Sequence, residues 1–218
     1  MKLHPSCPTH PTLAQVGLAL WLCAAGFWAG LGAAVAQTTG PASVAAPTQT
    51  SASGPAGAAC PRLLRHTHDR LQDEKPQSLC QYTGQVVVVV NTASFCGFTP
   101  QYKGLEDLYA RYKGRGLVVL GFPSNDFNQE TGSTQQIADL CFNTYGVKFP
   151  MFAKTSVRGS DAHPFFRALA READRAPRWN FHKYLVNRQG KVVEDFSSLT
   201  GPLDAKLVAA VERALAAK

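Results

Sequence analysis

The stretch VVVVVNTASFCGFTPQY, residues 86–102, decides the fold. Its five consecutive valines predict a β-strand that is buried on both faces, as in a sheet covered by helices. Thr99 and Pro100 then open a segment in which apolar residues recur at helical spacing. Cys96 lies between these elements, in a loop of small and polar residues. The stretch therefore predicts a strand, a cysteine-bearing loop and a helix.

The residues that follow alternate between strand and helix patterns, and they end in a hairpin and a helix. The order β-α-β-α-β-α-β-β-α predicts parallel strands with right-handed crossovers, then an antiparallel pair. We therefore expect an α/β, thioredoxin-like fold with a central mixed β-sheet flanked by α-helices. The predicted elements are strand 86–91, a helix opened by Thr99, strand 117–122, a helix opened by Ser133, strand 149–153, helix 163–171, a hairpin turning at 188–190, and a helix opened by Pro202.

Charge is distributed unevenly along the 218 residues, whose formal net charge is +7. Lys2 is the only charged side chain before Arg62, so the opening segment cannot form the surface of an ordinary soluble domain. The later basic residues alternate with acidic ones and form no cluster of five or more. We therefore expect no nucleic-acid partner.

The uncharged opening segment divides into two parts. Residues 1–36 combine a weakly basic start, an apolar stretch and the small residues Ala34 and Ala36, which predicts a cleaved signal peptide. An uncleaved membrane anchor is the alternative, because the apolar stretch is long enough to span a bilayer. Residues 37–59 form a low-complexity linker, and the folded domain occupies 60–218. We expect a periplasmic or secreted protein that has no membrane contact after cleavage.

Cys96 is the strongest candidate for a reactive group. The carboxyl end of a buried strand, where it runs into a helix N-terminus, favours an anion and therefore a thiolate. A buried structural cysteine is the alternative. Thr99 stands where a dithiol oxidoreductase would carry its second cysteine. A thiol without a local partner can instead attack a peroxide and become a sulfenic acid.

Four motifs, NTASFCGFTPQY, LGFPSNDFNQE, YGVKFPMFAK and WNFHKYLVNRQGKVVEDFSS, resemble the glutathione peroxidase family in order and spacing. The resemblance covers about residues 66–216. It implies a peroxidase whose catalytic residues are Cys96, Gln129, Trp179 and Asn180. It also implies that hydrogen peroxide or an organic hydroperoxide is the substrate. Amide and indole N–H groups would supply directional donors for such a reaction.

The loop that carries Gln129 departs from the family pattern. The family commonly reads NQFxxQEP there, whereas this chain is one residue shorter and lacks the proline. Asn125 and Asp126 are therefore the alternative polar partners for Cys96. Ser124 occupies a position at which some relatives carry another cysteine.

The resemblance also assigns a role to Cys141. Two-cysteine relatives carry their resolving cysteine at this position, so it implies a Cys96–Cys141 disulfide that a thioredoxin-like protein or a low-molecular-weight thiol reduces. The alternative is an inert buried cysteine, because Cys141 falls on an apolar helix face. The short segment 158–179 lacks the insertion that tetrameric relatives use, which implies a monomer.

Cys60 and Cys80 form a separate pair at the start of the domain. In an oxidising compartment their spacing predicts a structural disulfide. A metal site with His66 and His68 is the alternative, although the usual zinc-ligand spacing is missing. We expect no metal and no organic cofactor. Two other functions stay open for the whole chain, namely a thiol–disulfide oxidoreductase and a peroxide-sensing redox relay.

Overall fold

The computed structural model describes residues 59–217. The predicted signal peptide 1–36 and the linker up to residue 58 lie outside this range, so their assignment stays a prediction. No helix within residues 59–217 is long and apolar enough to cross a membrane.

The domain is a mixed sheet with helices on both faces. The strands are β1 (Thr67–Asp69), β2 (Pro76–Ser78), β3 (Val86–Thr92), β4 (Leu117–Pro123), β5 (Lys183–Val186) and β6 (Val192–Phe196), and the α-helices are α1 (Gln101–Tyr112), α2 (Thr134–Ala138), α3 (Pro164–Ala173) and α4 (Ala205–Ala216). The four-stranded sheet has the order β4-β3-β5-β6, in which β3 runs parallel to β4 and antiparallel to β5. The predicted mixed sheet and late antiparallel hairpin are therefore confirmed.

Strand β3 is the centre of the core, because every one of its residues is buried. Val86, Val88 and Val90 pack into one apolar cluster, which also contains the buried residues of α1 and α4. Val87 and Val89 pack into a second cluster, on the face covered by α3. This alternation explains why the whole run is apolar, since a strand buried on both faces has no solvent side.

Two predicted elements differ from the structure. Residues 149–153 make only isolated bridges, one of them from Met151 to Gly121, because Pro150 has no N–H to extend the ladder. The last helix begins at Ala205 rather than at Pro202. Asp204 provides the N-cap there, since its carboxylate accepts from the Lys206 N–H at 2.8 Å.

The second predicted helix is α-helical only over α2 and then continues as a different type of helix. Ser133 and Gln136 form a capping box at its start, as the sequence around Ser133 suggests. After Ala138 the chain continues as a π-helix, Asp139–Thr144. Such segments are rare and often mark functional sites.

The segment before β3 forms a small hairpin that the sequence analysis does not predict. Strands β1 and β2 pair antiparallel there. Cys60 and Cys80 are joined by a disulfide, with their Cα atoms 5.3 Å apart. Neither sulfur is therefore available as a metal ligand in this state.

A buried histidine in β1 links folding to pH. His68 is 7% exposed and packs against the rings of Phe122, Phe152 and His163. Burial, reinforced by repulsion from His163 and His66, lowers the pKa of His68 to about 3. Between pH 6.5 and 3 the unfolded chain therefore binds a proton at His68 that the folded chain does not.

We expect the free energy of unfolding to decrease as the pH falls through this window. The contribution of His68 between pH 7 and pH 4 should be on the order of 2–3 kcal/mol. Urea unfolding at several pH values should show a smaller decrease for His68→Leu than for the wild type. Thr67→Val, on the exposed neighbouring position, is the matched control. An unchanged pH dependence in His68→Leu would contradict this linkage.

Candidate active site

Cys96 lies in a tight loop between β3 and α1. Its thiol is free and 8% exposed. The Phe98 N–H donates to Cys96 Sγ at 3.4 Å. The Thr99 hydroxyl accepts from the Cys96 N–H at 3.1 Å and donates to the Cys96 carbonyl at 2.7 Å. Thr99 therefore fixes the loop at the position where a dithiol enzyme would have its second thiol.

Gln129 and Asn180 are brought together although 51 positions separate them. Asn180 Nδ2 donates to Gln129 Oε1 at 2.9 Å, and Asn180 is fully buried. The Phe95 N–H donates to the Gln129 carbonyl at 3.0 Å, which ties this pair to the residue before Cys96. The Gln129 amide nitrogen has no hydrogen-bond partner within residues 59–217 and is free to donate to a substrate.

The alternative polar partners, Asn125 and Asp126, accept hydrogen bonds from backbone N–H groups instead. Asn125 Oδ1 accepts from the Glu130 N–H at 2.9 Å. Asp126 accepts from the backbone N–H groups of Val157 and Arg158, at 2.6 and 3.0 Å. Both side chains therefore shape their loop, and Gln129 alone of the three reaches Asn180. The one-residue shortening does not prevent this contact.

Trp179 forms the exposed side of the site. Its side chain is 41% exposed, and its ring packs at 5.4 Å from the ring of Phe127. Within residues 59–217 its indole N–H has no hydrogen-bond partner. An indole N–H without a protein partner can donate a hydrogen bond to a bound substrate.

Asn91 is a positioning residue that the sequence analysis missed. It lies near the end of β3, and its Nδ2 donates to the Trp179 carbonyl at 3.1 Å. Its Oδ1 accepts from the His182 N–H at 3.1 Å, and its carbonyl accepts from the Phe181 N–H at 2.6 Å. Phe181 has a φ of 62°, an unfavourable value for a buried aromatic residue. Asn91 holds this strained turn. The only signal in the sequence is a polar residue directly after the five valines.

No pattern in the sequence indicated Lys183, which stabilises the elements around the site. The lysine is fully buried, and its Nζ donates to Gln101 Oε1 and to the carbonyls of Phe181 and Thr200, at 2.6, 2.8 and 2.8 Å. Burial lowers the pKa of Lys183 to about 7. All three ammonium donors are used, which ties β5 to α1 and to the loop before α4.

Cys141 is buried in the π-helix and belongs to the same apolar cluster as Cys96. Its thiol donates to the hydroxyl oxygen of Tyr102 at 3.3 Å, and both residues are inaccessible to solvent. Burial raises the pKa of Cys141 to about 12, an effect that the hydrogen bond with Tyr102 partly opposes and the nearby Glu130 reinforces. In this conformation Cys141 is therefore a thiol and not a nucleophile.

Glu130 is a buried acid beside these groups. Neither carboxyl oxygen has a hydrogen bond of normal geometry within residues 59–217, and burial raises the pKa of Glu130. Ser94 faces the carboxyl and partly opposes this shift. Within residues 59–217 no group of three metal-binding side chains is placed to hold a metal ion.

The chain is similar to proteins of one known family. A family model described as glutathione peroxidase matches residues 65–170. The glutathione peroxidase-like peroxiredoxin gpx1 of Schizosaccharomyces pombe is 50% identical over 136 residues, which cover 60% of this chain and 86% of the relative.

Two solved structures show the same fold. A crystal structure titled Trgpx in apo form is 36% identical with a TM-score of 0.57, and the match covers 70% of this chain and 94% of that one. A thioredoxin-family thiol:disulfide interchange protein from Chlorobium tepidum TLS reaches a TM-score of 0.55 at 17% identity, covering 73% of this chain and 99% of the other. The latter likeness shows the fold alone, and it confirms the thioredoxin-like architecture.

The relative from Schizosaccharomyces pombe shares half of the aligned residues, and the match covers 86% of its length. Gln129 and Asn180, which belong to two of the motifs, meet beside the loop that carries Cys96. The chain therefore belongs to the glutathione peroxidase family and is a thiol peroxidase.

Proposed function

We propose that this peroxidase works by a two-cysteine cycle in which Cys96 reduces the hydroperoxide and Cys141 resolves the product. The observation that carries the proposal is the position of Cys96, with a backbone N–H on its sulfur and the Gln129–Asn180 pair attached to its loop. Peroxide reduction requires a thiolate nucleophile and hydrogen-bond donors to the leaving oxygen. Cys96, the Gln129 amide and the Trp179 indole would supply these groups.

In the first step the Cys96 thiolate attacks one peroxide oxygen. An S–O bond forms, the O–O bond breaks, and the sulfur is oxidised to a sulfenic acid. The leaving oxygen carries the negative charge and takes up a proton to become water or an alcohol. Donors from Gln129 and Trp179 would stabilise this charge, because neither side chain competes as a base.

The surface around this site suits substrates that are larger than hydrogen peroxide. Phe95, next to Cys96, is 67% exposed, and Leu199, next to Ser198, is 84% exposed. Ser198 donates to the Asn180 carbonyl at 2.6 Å, so Leu199 follows a residue that contacts the site. The exposed apolar side chains of Phe95, Leu199 and Trp179 support organic hydroperoxides as substrates.

In the second step the Cys141 sulfur attacks the sulfenic sulfur of Cys96. The disulfide forms, the S–O bond breaks, and the hydroxyl leaves as water with the proton from Cys141. The buried, protonated Cys141 must first be released from Tyr102, and the short α2 and the following π-helix form a segment that can open locally. A thioredoxin-like dithiol or a low-molecular-weight thiol then supplies two electrons.

We also propose an exported, monomeric enzyme. The signal-like residues 1–36 support export. The Cys60–Cys80 disulfide suits an oxidising compartment. The short segment that carries α3 supports the monomer.

Disulfide mapping after oxidation tests the cycle. We expect one equivalent of peroxide to produce a Cys96–Cys141 disulfide in the wild type, detected by mass spectrometry. Cys96→Ser should lose turnover with both hydrogen peroxide and cumene hydroperoxide. Cys141→Ser should still form the sulfenic acid but should not be recycled by thioredoxin.

A stable sulfenic acid on Cys96 beside a free Cys141 in the wild type would rule out the resolving role. Oxidation of Cys96 without steady-state turnover with any thiol reductant would instead indicate a peroxide-sensing relay.

The contribution of the amide donor can be measured separately. Gln129→Ala should reduce the second-order rate constant for Cys96 oxidation about 10- to 100-fold, because a donor to the leaving oxygen is lost. Stopped-flow oxidation of the reduced enzyme measures this constant. Gln135→Ala, an exposed glutamine on α2, should leave it unchanged. Equal rates in Gln129→Ala and the wild type would exclude Gln129 from the reaction.

The Tyr102 contact should restrain Cys141. Tyr102→Phe removes one buried hydrogen bond, worth about 0.5–1.5 kcal/mol, so local opening should become about 2- to 10-fold more frequent. Alkylation of Cys141 in the reduced protein and formation of the disulfide should both accelerate. Tyr112→Phe is the control on the same helix, because its hydroxyl bonds Glu212 instead. Slower alkylation in Tyr102→Phe would contradict the restraint.

A further inference from the structure

A cleft that shares no residue with the site around Cys96 is lined by four arginines. It has a volume of about 640 Å³ and lies between the 3₁₀ helix Arg62–Leu64 and α3. Arg62 and Arg65 line one wall. Arg167 and Arg171 line the other, four positions apart and therefore on one face of α3.

In the described part of the chain, these arginines have no counter-charge. No carboxylate within residues 59–217 lies at ion-pair distance from any of the four. The only acid in the lining is Glu172, and its carboxylate already accepts from the Val192 N–H at 3.1 Å. The chain before Asp69 contains no acidic residue, so the N-terminal segment cannot supply a counter-charge.

Both walls are held in place before any ligand arrives. Leu63 and Leu64 are buried beneath the first wall, and the Cys60–Cys80 disulfide fastens its start. Arg65 Nε donates to the Cys60 carbonyl at 2.9 Å, which fixes that guanidinium. On the second wall, Arg167 Nη1 donates to the Ala162 carbonyl at 2.6 Å. Preorganised charges lose little conformational entropy when they bind.

From these contacts we infer that the cleft binds a compound that carries at least two phosphate groups. Guanidinium groups recognise phosphate oxygens by paired, charge-assisted hydrogen bonds. Two pairs on opposite walls require a ligand with at least two anionic groups, and a cleft of this volume fits a small molecule. A free polyphosphate and the headgroup of a phospholipid with two phosphates share this chemistry.

Calorimetric titration of the full chain with sodium tripolyphosphate tests the site. We expect one-to-one binding that Arg62→Glu and Arg171→Glu each weaken by about ten-fold or more. Arg111→Glu, an exposed change of equal charge on α1, should weaken binding by less than about two-fold. Thermal unfolding verifies that the variants fold, and peroxidase activity should be unchanged in all three because none touches the site around Cys96.

Sedimentation with vesicles that contain cardiolipin, whose headgroup carries two phosphates, distinguishes the two sources when phosphatidylcholine vesicles serve as reference. Vesicle binding that is lost in Arg171→Glu and displaced by tripolyphosphate assigns a lipid headgroup, whereas tripolyphosphate binding alone assigns a free polyphosphate. The inference is overturned if neither probe binds, if all three variants weaken binding equally, or if citrate binds as tightly as tripolyphosphate.

Discussion

The buried amide of Asn91 holds the site of this peroxidase together. Strand β3 is apolar for five residues and then places this one polar side chain where the sheet ends. Its amide and backbone groups form hydrogen bonds with Trp179, Phe181 and His182, which are distant in sequence. These bonds place Trp179 and Asn180 at the end of β3 where the Cys96 loop begins. A buried amide without hydrogen-bond partners costs free energy. Once β3 and β5 pair, the Asn91 amide therefore favours this one set of hydrogen bonds.

The hydrogen-bond partners and the solvent access of the two thiols also differ. Cys96 and Cys141 belong to one apolar cluster, but Cys96 has a backbone N–H donor on its sulfur, whereas Cys141 is inaccessible to solvent and has a single hydroxyl partner. Burial raises the pKa of Cys141 and keeps it unreactive in this conformation. The proposed cycle therefore requires the helix around Cys141 to open before the second thiol reacts. The π-helix around Cys141 is consistent with a segment of low local stability.

Much of the architecture could be predicted from local patterns. The buried strands, α1 and the hairpin follow from apolar spacing and from turn residues, which report directly on burial. Predictions were wrong where a single residue decided the outcome. Pro150 interrupts the strand expected over 149–153, and the Asp204 side chain moves the start of the last helix. The β1–β2 hairpin has no strong pattern, because its strands are three residues long and mostly exposed.

The sequence by itself determined the family motifs, the single thiol after the first buried strand and the absence of a local second thiol. Only the tertiary structure decided which polar residue of the shortened loop meets Asn180, because that contact joins positions 51 residues apart. It also decided that Lys183 is buried with three acceptors and that Cys141 meets Tyr102. Such contacts depend on how strands and helices pack across the sheet, and no local pattern of residues records that packing.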